Sequence, residues 1–307
     1  MDALIDELQQ RLPAWADKPV AVSPMTGGIT NKNYRVQVDD EAFVVRICAQ
    51  GVAIHGIDRQ AEQECSQAAA AIGIAPEFVA FFDDLPAGQE VLITRFVEGR
   101  TLEAAHVRSS PRLEQVMNLM RRYHALPHFA GRFDVFRIFE QGLAFCHAHE
   151  APLPDWIGTV AAQMDRIESA LQRNPPPLAA CHNDLLPANL LEEPEGRLQL
   201  VDWEYAGWGD PFFDLGNLAV NNEFTDGEDE ALLTAYFGEV VEPAWARLKL
   251  MKIVSDAREG IWGMVQTRIS ALDFDFASYG TRHLERFMHN CAVDALETWL
   301  KNVERRA

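Results

Sequence analysis

No stretch of the 307 residues approaches the ~20 consecutive apolar residues that a membrane-crossing helix needs. Cysteine is scarce: five in all, at 48, 65, 146, 181 and 291, odd in number and with no Cys-x-x-Cys pair. That pattern excludes a disulfide framework and fits buried, reduced thiols. His147 and His149 are two apart, so they do not share a helix face, and no zinc site is expected there. Positive charge is short as well. Against 46 Asp and Glu stand 27 Lys and Arg, a formal net charge of −19. That balance argues against a nucleic-acid partner or an anionic membrane surface. Internal repeats and low-complexity segments are absent. The opening Met-Asp-Ala-Leu-Ile-Asp-Glu-Leu reads as an acidic amphipathic helix rather than a signal peptide. A soluble, cytoplasmic protein, monomer or homodimer, is the expectation.

What is present suffices for a proper core: 48% of the residues are hydrophobic, enough for one two-lobed unit or two domains. Residues 2–12 put Leu4, Ile5, Leu8 and Leu12 on one helix face. Two strand-like runs between 20 and 38 flank Gly27-Gly-Ile-Thr-Asn31, which alone reads as a hairpin turn. Phe43-Val-Val-Arg-Ile47 is a buried strand with one cation, Arg46. A helix over 57–72 has Asp58 as its N-cap and Gly73 as its stop. A strand over 77–82 follows, and then the run 90–100, which leaves the sheet. Beyond 101 the pattern is helical, with helices over 111–126, 133–149, 155–172, 229–237, 243–270 and 281–304, and one starting near Phe213. The stripe Leu113, Val116, Met117, Leu119, Met120 and Tyr123 is core, and His124 beside it is structural. Asn174-Pro-Pro-Pro177 is a stiff connector, and Asp226-Gly-Glu-Asp-Glu230 an acidic surface loop. The chain therefore divides into a strand-rich part, 1–97, and a mostly helical part, 98–307.

The stretch 181–217 carries the chemistry. Cys181-His-Asn-Asp-Leu-Leu-Pro-Ala-Asn189 contains His182-x-Asp184-x4-Asn189, and Asp202 follows at the end of the apolar run Leu198-Gln-Leu-Val. Phosphoryl transfer to a hydroxyl needs such a set: a carboxylate to accept the hydroxyl proton, and a second carboxylate with an amide oxygen to hold Mg²⁺ against the nucleotide phosphates. Asp, four residues, Asn, then a later Asp is the order of a kinase catalytic loop and its metal-binding Asp.

Asp202-Trp-Glu-Tyr-Ala206 is similar to the Asp-aromatic-Glu-Tyr-Ala signature of choline kinases, and Asp210-Pro-Phe-Phe-Asp-Leu resembles its continuation in bacterial members. The chain thus resembles the choline/ethanolamine kinase family, within the aminoglycoside-phosphotransferase-like small-molecule kinases. The Asp-Phe-Gly of protein kinases is missing. Recognisable motifs cover 20–100 and 178–270, while 101–177 matches only in general pattern. The resemblance implies an α+β, bilobal, protein-kinase-like fold: a small antiparallel-sheet lobe for the nucleotide, a larger helical lobe for catalysis and substrate, and the active site between them. ATP and Mg²⁺ are the implied cofactors. Asp184 would be the base, Asn189 and Asp202 the Mg²⁺ ligands, and Asp214 a support of the catalytic loop, with helix-dipole stabilisation as the plainer reading of Asp214. Gly27, Gly28, Thr30 and Asn31 would cover the phosphates, although the full Gly-x-Gly-x-x-Gly of protein kinases is absent. Arg46 would replace the usual Lys on the phosphates, set by Glu62, with Glu64 as a competing partner and a structural ion pair as the alternative. The main chain from Arg95 to Val97 would meet adenine.

The resemblance also points to a cationic alcohol as acceptor, choline first and ethanolamine second. Arg258-Glu-Gly-Ile-Trp-Gly-Met-Val-Gln266 is similar to the C-terminal helix that lines the choline pocket in choline kinases. Trp262, Tyr205 and Glu204 are the candidates for the cation pocket, through ring faces and charge. Glu259 stands where eukaryotic members tend to have a second tryptophan, a change that favours a smaller, more hydrated ammonium. A core tryptophan is the plainer reading of Trp262. Other acceptors (thiamine, an aminoglycoside, methylthioribose, a sugar) and a catalytically silent binding module are the alternatives.

Overall fold

A computed structural model describes residues 1–25 and 30–305, and Gly27 and Gly28 lie outside the described residues. The chain forms two compact units, one of Met1–Gly51 with Ser66–Glu98 and one of Val52–Cys65 with Gly99–Ala307.

The first unit is built on a five-stranded antiparallel sheet. Helix α1 (Asp2–Arg11) precedes β1 (Val20–Pro24), β2 (Lys32–Val38) and β3 (Glu41–Ile47), and after helix α2 (Arg59–Ala71), whose residues up to Cys65 count with the second unit, come β4 (Phe78–Leu85) and β5 (Gln89–Arg95). Strand order is β1-β2-β3-β5-β4. Strands alternate their side chains, so Val36 and Val38, Phe43 and Val45, and Val91 and Ile93 share one face. Leu4, Ile5, Leu8 and Trp15 cover that face, with the Trp15 and Phe43 ring centroids 5.0 Å apart. Arg46 points to the other face, at 7% exposure. Helix α2 starts as expected, Asp58 Oδ1 accepting from the Gln60 and Ala61 amides, and stops at Gly73, whose φ of +68° suits glycine.

The second unit holds the short strands that carry the loops. These are β6 (Arg100–Thr101), β7 (Ala179–Cys181), β8 (Leu190–Glu192), β9 (Leu198–Leu200) and β10 (Gly207–Gly209); β7 pairs with β10, and β6, β8 and β9 form a small antiparallel sheet. The helices are α3 (Ala104–Arg108), α4 (Ser110–His124), α5 (Val135–Ala148), α6 (Ile157–Leu171), α7 (Pro211–Asn221), α8 (Asp226–Phe237), α9 (Glu242–Ile269), α10 (Phe276–Cys291) and α11 (Leu296–Asn302). Helix α9 is the axis: Ala246 to Gln266 is buried except for half-buried Lys252. Its sequence is not apolar all round, so each buried charge on it needs a partner. Arg247 pairs with Asp210, Lys249 with Asp229, and Asp256 with Arg286 and His283. No helix among the described residues is long and apolar enough to cross a membrane.

Two sequence expectations are corrected. Residues 226–230 are not a surface loop. They open α8, which Thr225 and Glu228 cap reciprocally, and Asp229 is fully buried between Lys249 and Lys252 at 2.8 Å. Acidity alone misled here, because the cations that neutralise Asp229 lie twenty residues onward. The helix expected over 281–304 is two helices, broken between Cys291 and Leu296.

Helices α9 and α10 cross at glycine. A methyl on Gly263 would lie 2.9 Å from the Gly280 Cα, and one on Gly280 2.8 Å from the Gly260 carbonyl oxygen. Backbone cannot yield as a side chain can. Gly263→Ala is therefore expected to cost about 1–3 kcal/mol, read as a Tm lowered by several degrees in differential scanning calorimetry. An unchanged Tm would show the crossing to be loose.

Candidate active site

Local pairing explains the spacing of the motif residues. Strands β8 and β9 form a hairpin with Leu190 opposite Leu200, and the Val201 amide donates to the Asn189 carbonyl at 3.0 Å. Asn189 enters the hairpin and Asp202 leaves it, so residues far apart in sequence meet at one end. Asp184 joins them through Asn189, whose Nδ2 donates to the Asp184 carbonyl at 2.9 Å and to its carboxylate at 3.0 Å. With the amide nitrogen so engaged, the Asn189 side-chain oxygen faces the other way. Asn183 and Asp202 both adopt left-handed backbone, φ +66° and +65°, which costs a non-glycine residue about 1 kcal/mol or more. The chain turns sharply just before one carboxylate and at the other.

His182 ties the same loops together. Its Nε2 lies 3.0 Å from the Val201 carbonyl oxygen, and the Asp184 amide donates to its Nδ1 at 3.3 Å. Burial pushes the imidazole pKa down, which keeps it neutral, with Nε2 donating and Nδ1 accepting. Trp203 covers this ring at 4.6 Å and donates to the Leu200 carbonyl, so it belongs to the core.

Beneath the loop lies α7. Asp210 caps it, and Asp214 and Asn217, three residues apart, share the face toward the loop. Asp214 accepts from the His182 amide at 2.9 Å, the Asn183 amide at 2.6 Å and the Tyr123 hydroxyl at 2.8 Å, with His124 Nε2 at 3.0 Å. Burial opposes its charge, but the bonds from His124 and the His182 amide outweigh it and hold the carboxyl below the usual range. Asn217 accepts from the Leu185 amide at 2.5 Å. Sequence reading picked out Asp214 and missed Asn217, although the i, i+3 spacing was there to be used. Cys181 and His124 come close enough to Asp214 to form a candidate metal cluster. Burial keeps the thiol protonated and Asp214 is already engaged by four donors, so those groups explain one another.

Around Asp184 the charges crowd. It is 7% exposed. Burial pushes its carboxyl well above the ordinary range; Arg258 draws it partly back, while Glu259, Asp202 and Glu204 push it further up. Arg258 Nη1 is 3.8 Å from Asp184 and donates to Glu259 at 2.5 Å. Its Cζ lies 4.1 Å from the Tyr205 ring centroid. The other Glu259 oxygen accepts from the Tyr279 hydroxyl at 2.8 Å. Burial works against the charge on Glu259, and Arg258 more than compensates. Glu204 is 3.1 Å from Arg59, which also donates to Glu62 at 2.7 Å.

Trp262 lies one turn after Arg258 and Glu259, 6% exposed, its ring 5.8 Å from Phe276 and Tyr279 and 5.9 Å from His55. Burial first, and the Arg258 charge second, push the His55 pKa down to about 3. The expected cation-pocket residues thus lie near one another, but Tyr205 and Glu259 already serve Arg258, and Glu204 serves Arg59. Arg59 and Arg258 were not assigned to the site from sequence. Adjacent helix positions such as 258 and 259 do not usually face each other, so their pairing left no signal.

In the sheet unit, Asn31 Oδ1 accepts from the Ala49 amide at 2.9 Å. Thr30 lies beside it in a bend before β2. The Arg95 and Phe96 amides donate to Glu77 and Ala42 carbonyls, at 2.8 and 2.9 Å. Of the stretch expected to meet adenine, those two donors are thereby engaged within the sheet; Val97 lies just beyond.

The sequence pattern of the Phosphotransferase enzyme family matches residues 21–251, spanning both the sheet and the loops just described. The chain belongs to that family. Among curated relatives, this phosphotransferase is 24% identical to mouse ethanolamine kinase 1 over 93% of its length and 88% of the mouse protein. It is 27% identical to Protein LicA of Haemophilus influenzae, over 84% of this chain and 76% of that one. The solved choline/ethanolamine kinase family protein of Mesorhizobium loti matches with TM-score 0.80 and 28% identity, covering 97% of this chain and 98% of that one. The fold is accordingly kinase-like, and the chain is a phosphotransferase.

Proposed function

We propose that this phosphotransferase carries the terminal phosphoryl group of ATP to the hydroxyl of a small amino alcohol of the choline and ethanolamine class. The observation that carries the reading is the junction of Asp184, Asn189 and Asp202 through the β8/β9 hairpin and the Asn189–Asp184 bond. Mg²⁺ suits that set. Its donors are hard oxygens, and the mutual repulsion among Asp184, Asp202 and Glu204 is relieved by a divalent cation. Asn189 and Asp202 would hold the ion, which when bound neutralises charge on the phosphates. Asp184 accepts the hydroxyl proton as the alcohol oxygen attacks phosphorus, and the leaving oxygen departs with ADP. Asp214, Asn217 and His182 hold the loop amides fixed during that step, so the carboxylate does not reorganise. In the sheet unit the Gly27–Asn31 stretch and Arg46 serve the phosphates, and the main chain near Val97 serves adenine.

The relatives' names, ethanolamine kinase among them, favour an amino alcohol over a sugar or an aminoglycoside. A panel of alcohols with ATP and Mg²⁺, read as ADP release, tests this. Choline or ethanolamine should turn over well above thiamine, methylthioribose or an aminoglycoside; turnover of one of those alone would overturn the reading. Trp262→Ala is expected to raise the KM for the amino alcohol roughly 10- to 30-fold, from a cation–π contribution of about 2 kcal/mol. The KM for ATP should stay within about twofold. Equal effects on both would mark Trp262 as core.

A further inference from the structure

We propose that Arg258 decides which ammonium the acceptor site takes, favouring an alcohol with a primary, N–H-bearing ammonium over one with a quaternary ammonium. This rests on the amino-alcohol reading above and sharpens it.

A quaternary ammonium has no N–H to donate. It is held by aromatic faces and by unpaired carboxylate charge. Here the face of Tyr205 is taken: the Arg258 guanidinium carbon sits 4.1 Å from the ring centroid. The charge of Glu259 is taken as well, at 2.5 Å from the same guanidinium. Arg258 is 2% exposed and cannot shed its proton to make way. The protein has thus placed its own cation where a trimethylammonium group would gain most. A bulky second cation beside it meets repulsion with no hydrogen bond to offset it.

A primary ammonium meets a different site. Each Glu259 oxygen accepts one bond, one from Arg258 and one from the Tyr279 hydroxyl, and a carboxylate oxygen has room for a second. Three N–H donors on a compact head can use that capacity. Arg258 also keeps a donor for the substrate. Among the described residues its Nη2 is buried without a hydrogen-bond partner, within a guanidinium whose Nη1 is 3.8 Å from Asp184. A hydroxyl oxygen delivered to Asp184 gives that N–H an acceptor. Choline, ranked first from the sequence motifs, therefore falls behind ethanolamine-like alcohols.

The test compares kcat/KM for ethanolamine and choline in the wild-type enzyme and in Arg258→Leu. The wild type should prefer ethanolamine by about tenfold or more, and Arg258→Leu should move the ratio toward choline by about tenfold, whatever happens to the absolute rates. A wild type that prefers choline, or a ratio that stays within twofold in the variant, overturns the inference. Should Arg258→Leu fail to fold, the wild type alone decides. Methylammonium should inhibit ethanolamine phosphorylation competitively at a lower concentration than tetramethylammonium, and the reverse order overturns the proposal. If neither alcohol is phosphorylated, the amino-alcohol reading falls and takes this one with it. A choline-preferring enzyme sinks this one alone.

Discussion

Asp184→Ala is expected to lower turnover about 10²–10⁴-fold, the range supplied by a positioned general base, with nucleotide affinity changed by no more than about twofold. Asp184 is held by Asn189 and faces Arg258, but it is not one of the groups proposed to hold the nucleotide or the ion. Stopped turnover with ADP titration measured separately would check both halves. A variant that keeps a tenth of wild-type turnover would remove Asp184 from the chemistry. Asp184→Asn adds a second readout. Burial and three neighbouring carboxylates oppose the charge at 184, so an isosteric neutral group relieves a repulsion present in the folded state. Without Mg²⁺ the Asn variant should melt higher than the wild type while remaining inactive, a trade of stability against function.

Asp214→Ala should be the most damaging single change to the fold of the catalytic loop. Its carboxylate takes hydrogen bonds from two loop amides and the Tyr123 hydroxyl, all at zero exposure, and partly buried His124 is a fourth partner. Removing it leaves buried donors without an acceptor, a loss of roughly 3–5 kcal/mol. Turnover should fall by decades as the loop loses its anchor, with the KM for both substrates harder to measure than kcat. Asp214→Asn should not rescue, because an amide offers one acceptor oxygen and turns a donor toward donors. The pH dependence has a definite sign. The folded carboxyl lies below its unfolded value, so its contribution is complete above the usual carboxylate range and is lost as pH falls through the folded pKa. Equilibrium denaturation of wild type and Asp214→Ala across acid pH should show the two curves converging. A constant gap would mean Asp214 is not ionised in the folded protein.

The loops were legible from sequence because their chemistry is local. His182-x-Asp184-x4-Asn189 is one loop, and the run to Asp202 is one tight hairpin with apolar strands, so backbone pairing alone brings the acids together. Asp214 was placed through the resemblance and a helix expected to start near Phe213; the helix starts at Pro211, capped by Asp210. Partners distant in sequence were not legible. Arg59 reaches Glu204 across 145 positions, and nothing in either segment announces the pair. Asp229 looked solvated until Lys249 and Lys252 closed on it. The break near 292–295 was hidden because the apolar period runs on past it into α11.

The groups that would handle the phosphoryl group and those that would read the alcohol come from separate parts of the second unit. Asp184, Asn189 and Asp202 hang on short strands, whereas Arg258, Glu259 and Trp262 occupy just over one turn of α9. That separation is an evolutionary convenience. A lineage can rewrite one helical turn to accept a new alcohol while the transfer machinery is inherited unchanged, so substrate preference can diverge among relatives far faster than the reaction itself.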